Sequence, residues 1–168
     1  GGNLLADPAE QAWQLPHCWT CYEPPAGYPA ITPPPCLAAP GITFGSLNNT
    51  CKINTAVLNA WSRILLATPG SRLCLLTKPG SHRRHLTEVL VSLGVEAHRL
   101  NFVDYQPRSA SLSQGALLGR YHAIDLALDT FPYNGMSTTL DALWMGVPVV
   151  SLVGERNLGR AGLSLLSN

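Results

Sequence analysis

The chain has 168 residues, enough for one domain with a sizeable core, and 46% of them are hydrophobic. A net charge of +1 at pH 7 gives no basis for bulk attraction to nucleic acid or to an anionic membrane surface. No apolar run reaches the ~18 residues of a bilayer-spanning helix, and charged residues amount to only 12%, low for a free-standing surface.

Residues 1–41 hold nine of the fourteen prolines, including Pro24-Pro25 and Pro33-Pro34-Pro35. Proline fixes φ and removes a backbone donor, so this part is expected as an extended, wrapping segment with little regular structure. Its apolar cluster, Leu15-Pro-His-Cys-Trp-Thr-Cys-Tyr22, is expected to dock on a partner domain or on a sheet edge.

From Ile42 onward the texture changes, and residues 42–168 read as one domain. A short buried strand is expected at 42–47, followed by a loop at 48–52. Asn54 is placed to cap a helix over 55–67, in which Val57, Trp61, Ile64 and Leu65 recur at helical spacing. Pro69-Gly70 ends it. A second strand falls at 73–77, a helix at about 82–93 closed by Gly94, a third strand at 100–103 and a fourth at 123–128. A helix at 138–145 closed by Gly146 leads to a fifth strand at 147–152, and residues 160–168 have helical character. Strict alternation of strand and helix predicts an α/β fold, a Rossmann-like parallel sheet with right-handed crossovers and helices on both faces. The opening Gly1-Gly-Asn3 carries no initiator Met and the last helix has no following strand, so the chain is expected to be a piece of a longer protein.

Charge is unevenly placed. No acid lies between Glu23 and Glu88, while that span holds Lys52, Arg63, Arg72, Lys78, Arg83 and Arg84. The local positive field suits an anionic ligand. Five cysteines, an odd number, argue against a disulfide framework and for free thiols in a reducing cytoplasm. Cys18-Trp-Thr-Cys21 has ligand spacing, but no second pair follows to complete a tetrahedral site, and no metal site is expected.

In a doubly wound sheet, ligands lie beyond the carboxyl ends of the strands. Lys52 falls in the loop there after strand one, where its ammonium can meet a diphosphate. Asn48 and Asn49 beside it offer amides. Ser137, Thr138 and Thr139 open a helix directly after Gly135, which lets a backbone approach a ligand closely. One of the three hydroxyls is expected to cap the helix, and together they suit a phosphate at a helix N-terminus. Asp141 on that helix can accept from ribose hydroxyls. Asp129 is expected to be a satisfied structural acid at the end of strand four. Arg108, after strand three, can reach the ribose or phosphate. No Gly-x-x-x-x-Gly-Lys-Ser/Thr loop or Gly-x-Gly-x-x-Gly turn is present, so P-loop and dinucleotide sites lose ground and a sugar nucleotide gains it.

These blocks, with Phe44-Gly-Ser-Leu-Asn-Asn-Thr-Cys-Lys52, Leu128-Asp-Thr-Phe-Pro-Tyr-Asn-Gly135, Leu143-Trp-Met-Gly-Val-Pro-Val-Val150 and Gly159-Arg-Ala-Gly162, occur in one order. In that order the chain resembles the catalytic region of the O-linked N-acetylglucosamine transferases, including bacterial tetratricopeptide-linked and plant SPINDLY-like relatives. The resemblance runs from about Leu15 to the end. It implies the C-terminal half of a GT-B glycosyltransferase, with residues 1–41 as the tail of the preceding catalytic half. It implies that Lys52 is the catalytic cation on the diphosphate, with Asn49 nearby. Ser137, Thr138 and Thr139 would bind phosphate, Asp141 ribose, and Arg108 the nucleotide. Met136 stands where many relatives have His or Gly, and residues 109–115 are longer than in relatives.

The activity so implied is transfer of N-acetylglucosamine, or a related hexose, from a UDP-sugar to Ser/Thr of proteins. It would be inverting and metal-independent, with the donor as substrate and no separate cofactor. The partners implied are a protein acceptor, the missing N-terminal catalytic half and tetratricopeptide repeats, with neither nucleic acid nor membrane. The alternatives are another GT-B activity (O-fucosyl transfer, N-glycosyl transfer or epimerisation) and a non-catalytic, degenerate nucleotide-sugar module. No general base is named in this stretch.

Overall fold

The computed structural model describes residues 15–104 and 115–167. Five strands form one sheet: β1 (Thr43–Ser46), β2 (Arg72–Leu76), β3 (Leu100–Val103), β4 (Leu126–Leu128) and β5 (Val149–Val150). All pairings are parallel and the order is β3-β2-β1-β4-β5. β1 is central, with Phe44 level with Leu73 on one side and Leu126 on the other. Chain order reverses between β1 and β4, so the crevice of this doubly wound sheet opens there.

Helices α1 (Thr55–Ala67), α2 (Ser81–Ser92), α3 (Ser137–Trp144) and α4 (Ala161–Leu166) complete the regular structure with several 3₁₀ turns. The core has two halves, as a sheet covered on both faces requires. One joins Val57, Leu58, Trp61 and Leu65 of α1 and Leu86 and Leu90 of α2 to Phe44, Leu73, Leu75 and Leu128. The other joins Ala142 and Met145 to Leu118, Tyr121, Ile124, Cys74 and Ala127. Leu73 and Leu75 on one face and Cys74 on the other follow the two-residue period of a strand.

α1 matches its expected bounds because both ends are chemically marked. Asn54 accepts from the Val57 N–H at its start. At its end Arg99, buried to 7% exposure, donates to Leu65 O, Thr68 O and Ser71 O. Gly94 and Gly146, at φ +91° and +76°, stop α2 and α3 where the sequence places them.

Three expectations are corrected. Strand four begins at Leu126, not Ala123, because Gly115–Ala123 is a 3₁₀ segment. Asp125 ahead of it accepts from the Thr43 and Cys36 N–H groups, tying the proline-rich segment to the sheet's amino edge. The fifth strand pairs only at Val149–Val150, since Pro148 has no N–H to give. The Leu15–Tyr22 cluster lies along α3 and α4 rather than along a strand edge. Its Cys18, Thr20 and Tyr22 contact Ser164, Met136 and Asp141 of the α3–α4 region. Among the described residues, no helix is long and apolar enough to cross a membrane.

Candidate functional site

At the switch point, the loop after β1 is tied to the loop after β4 and to the start of α3. Asn48 is buried at 5% exposure. Its Oδ1 accepts from Thr138 Oγ1 at 2.9 Å, and its Nδ2 donates to Asp129 Oδ1 at 3.3 Å. Lys52 reaches the same turn. Its Nζ donates to Asn134 O at 2.9 Å and lies 3.9 Å from the centre of the Tyr133 ring. The ammonium thus sits just ahead of the α3 mouth.

Asp129 organises the turn. Its Oδ1 accepts from the N–H groups of Thr130 (2.8 Å) and Gly135 (2.7 Å), and its Oδ2 from Ser151 Oγ (2.6 Å). Buried carboxylates require such partners, and every contact here is internal, as befits a structural acid. Gly135 is needed for closeness: a Cβ there would collide with Thr138 Oγ1 and Asn48 Oδ1.

None of the three hydroxyls caps α3. Met136 takes the N-cap position and supplies no capping bond. Ser137 is exposed, Thr138 is turned to Asn48, and Thr139, at 3% exposure, donates back to Gly135 O. The first-turn N–H groups of Ser137, Thr138 and Thr139 therefore have neither an intrahelical partner nor a side-chain cap among the described residues. They and the macrodipole leave a positive end beside Lys52.

Asn49 is exposed at the rim and its Oδ1 accepts from its own turn at Cys51 N, so Asn48 is the amide that enters the crevice. Asp141, half-buried, accepts from the Tyr22 hydroxyl at 2.6 Å. Arg108 and residues 109–114 lie outside the described residues. Arg83, from the positive stretch, is paired with Asp104 and donates to Thr77 O. The floor of the crevice, lined by Ser46, Asn48, Asp129, Thr138 and Thr139, encloses only about 10 Å³. That is room for no more than a water molecule, so any larger ligand would have to lie on the open side above it.

Burial holds the Lys52 ammonium below the ordinary lysine range, and Asp129 and Cys51 draw it partway back. Burial lifts the Asp141 carboxyl, with the Tyr22 hydrogen bond opposing. Burial first, then Asp141, pushes the Tyr22 hydroxyl above the ordinary phenol range, so it remains a donor at neutral pH. Cys18, Cys21, Cys36, Cys51 and Cys74 are free thiols. Among the described residues no group of three or more His, Cys, Asp or Glu side chains is placed to hold a metal ion.

Sheet order and crevice define a doubly wound, Rossmann-like fold, and its match to a glycosyltransferase structure makes it the C-terminal half of a GT-B fold. A Thermobaculum terrenum O-GlcNAc transferase mutant superposes with a TM-score of 0.74 at 40% identity, over 86% of this chain and 26% of that one. The glycosyl transferase family 41 profile matches residues 36–167, and the chain belongs to that family. It is 39% identical over 175 residues to a probable UDP-N-acetylglucosamine–peptide N-acetylglucosaminyltransferase SPINDLY of Arabidopsis thaliana, covering 98% of this chain and 19% of that protein. A UDP-N-acetylglucosamine–peptide N-acetylglucosaminyltransferase of Caenorhabditis elegans is 31% identical over 125 residues, 74% of this chain and 10% of that protein. The chain thus spans about a fifth or less of the curated relatives it matches.

Proposed function

We propose that this chain is the nucleotide-sugar-binding half of a protein O-glycosyltransferase. The enzyme moves N-acetylglucosamine from UDP-N-acetylglucosamine to Ser/Thr hydroxyls of an acceptor protein. The acceptor oxygen forms a bond to the anomeric carbon from the face opposite the diphosphate. The bond from that carbon to the β-phosphate oxygen breaks, UDP leaves with the electron pair, and the configuration inverts. Lys52 and the first turn of α3 take up the charge that develops on the diphosphate, so the reaction needs no divalent cation and no separate cofactor. Thr138 and Ser137 border the phosphate, and Asp141 accepts from the ribose. Asn49 and Arg108 lie on the loops that border the same ligand. The hydroxyl proton goes to a base outside this half. We further propose a cytoplasmic enzyme of the bacterial type, in which an N-terminal half-domain and tetratricopeptide repeats complete the cleft and hold the acceptor.

One observation supports this most: the β1 loop and the start of α3 are tied twice across the switch point, by Lys52 Nζ donating to Asn134 O and by Thr138 Oγ1 donating to Asn48 Oδ1. The relatives' names support the choice of sugar. The test is a donor screen on the full-length protein with radiolabelled UDP-N-acetylglucosamine, UDP-glucose and GDP-fucose and a Ser/Thr-rich acceptor protein. Label transferred from UDP-N-acetylglucosamine, and lost in Lys52→Ala, is the expected result. Transfer from GDP-fucose alone would move the chain to fucosyl transfer, and no UDP binding at millimolar concentration would make it a non-catalytic module.

A further inference from the structure

Tyr22 and Asp141 are 119 residues apart in sequence, yet the phenol donates to Asp141 Oδ1 across 2.6 Å. The contact is built from both sides. The Tyr22 ring is tilted against Trp144, with centroids 6.2 Å apart, and Tyr28 meets the same indole edge-on at 5.5 Å. Trp144 is three residues beyond Asp141, so the two share one face of α3. Upstream, Thr20 donates to the sulfur of Met136 at the α3 N-cap, and Ser164 of α4 donates to the sulfur of Cys18. The chain from Cys18 to Tyr28 therefore runs along α3 from its mouth to its last turn.

A carboxylate offers about four lone-pair sites on two oxygens. Tyr22 occupies Oδ1, and Oδ2 has no partner among the described residues. Without Tyr22 the side chain could turn about χ1 and χ2; with it, one oxygen is pinned and the other is left for a ligand. We propose that Tyr22 is a positioning residue of the donor site, fixing the Asp141 carboxylate so that Oδ2 accepts from the vicinal hydroxyls of the nucleotide's ribose. This rests on Asp141 as the ribose acceptor, the reading given above. It makes the proline-rich segment part of the site, and ribose recognition dependent on that segment staying seated on α3.

The experiment compares UDP with 2′,3′-dideoxy-UDP by calorimetric titration of the full-length protein and its Tyr22→Phe variant. Phenylalanine keeps the ring against Trp144 and removes only the hydroxyl. The wild-type protein is expected to prefer UDP. In Tyr22→Phe, UDP affinity is expected to fall about three- to tenfold while dideoxy-UDP affinity holds, so the preference shrinks by the same factor. Equal weakening of both ligands would make Tyr22 a packing residue and overturn the proposal. Tighter UDP binding in the variant would also overturn it, because Tyr22 would then compete with ribose. If the wild-type protein itself shows no preference, the Asp141 reading fails in that arm alone and the proposal falls with it.

Discussion

Thr138 Oγ1 donates to Asn48 Oδ1 across 2.9 Å, joining two loops that are 90 residues apart in sequence at the one place where strand order reverses. The bond closes the floor of the crevice and sets the distance between the β1 loop and the α3 mouth. Thr138→Val keeps the shape and removes the donor, leaving Asn48 Oδ1 buried without it. The variant is expected to lose about 1–3 kcal/mol in urea denaturation, and to bind UDP more weakly than that loss of folded protein explains. Gly135→Ala attacks the same bond sterically and should reproduce both effects. An unchanged denaturation midpoint in Thr138→Val would mean that the Asn48–Asp129 and Lys52–Asn134 bonds hold the loops together without it.

Lys52 is expected to carry the pH dependence of the diphosphate binding proposed above. Burial lowers its folded pKa below the ordinary 10.5, and a bound diphosphate raises it again, so the complex holds the Lys52 proton more tightly than the free protein does. Affinity for UDP is therefore expected to fall as pH rises through the lowered pKa, earlier than an ordinary lysine would give. The folding term has the opposite sign: a depressed ammonium pKa means the unfolded chain binds the proton better, and stability rises with pH across that window. Lys52→Ala should lose about 1.5–3 kcal/mol of UDP binding at neutral pH and abolish the alkaline limb. Titrations between pH 7 and 10.5 read both; an alkaline limb that survives in Lys52→Ala belongs to another group.

Sequence reached different depths in different parts of this molecule. α1 was legible to the residue, because Asn54 and Pro69-Gly70 are local signals that tertiary contacts only reinforce. The parallel sheet followed from alternation of strand and helix, but strand order and the switch point did not, since alternation leaves open which strands become neighbours. The Gly115–Ala123 segment was missed: a 3₁₀ run has no 3.6-residue stripe, and its buried Leu118 and Tyr121 look like part of a loop. At the site, Lys52 and the α3 hydroxyls were visible as residue types in strand-end loops. Their partners were not, since Thr138 reaches Asn48 and Tyr22 reaches Asp141 across 90 and 119 residues. Asn48 and Asn49 are equivalent by composition, and only the turn decides that the first faces inward. The buried Arg99 carried no signal, because its partners are backbone carbonyls.

Arg99 is the residue whose loss should harm the fold most for its distance from the crevice. Its guanidinium donates to Leu65 O (2.6 Å), Thr68 O (3.0 Å) and Ser71 O (2.7 Å), as well as to Ser71 Oγ (2.8 Å). Leu65 O and Thr68 O lie at the C-terminal end of α1, and Ser71 O lies in the turn that leads into β2. Arg99→Met keeps the apolar stem and removes the guanidinium; Leu65 O and Thr68 O keep the Thr68 and Ser71 donors, so Ser71 O loses most, costing on the order of 1–3 kcal/mol. Arg99→Lys should recover little, because a single ammonium cannot match the fork. Urea denaturation of both variants checks this. A lysine variant as stable as wild type would show that charge near the helix end, rather than the fork's geometry, does the stabilising.

Asp141 should separate binding from stability. Burial lifts its carboxyl above the ordinary value of 3.8, and the hydrogen bond from Tyr22 only partly opposes this. The folded chain thus holds that proton more tightly than the unfolded chain. The group's contribution is most favourable below the unfolded pKa and is lost as pH rises through the higher folded one. Asp141→Asn removes the titration while leaving an oxygen for Tyr22. It is expected to flatten the decline in Tm from pH 3.8 upward and to melt no lower than wild type at neutral pH, while its affinity for UDP falls. Thermal melts across that range, paired with UDP titration at neutral pH, read both quantities. On the reading proposed above, the burial cost of this carboxylate, on the helix whose mouth faces the crevice, is offset by a ligand that needs the charge. A lower melting point in Asp141→Asn with UDP affinity intact would instead make Asp141 a structural anchor for the proline-rich segment, and ribose recognition would have to come from another loop.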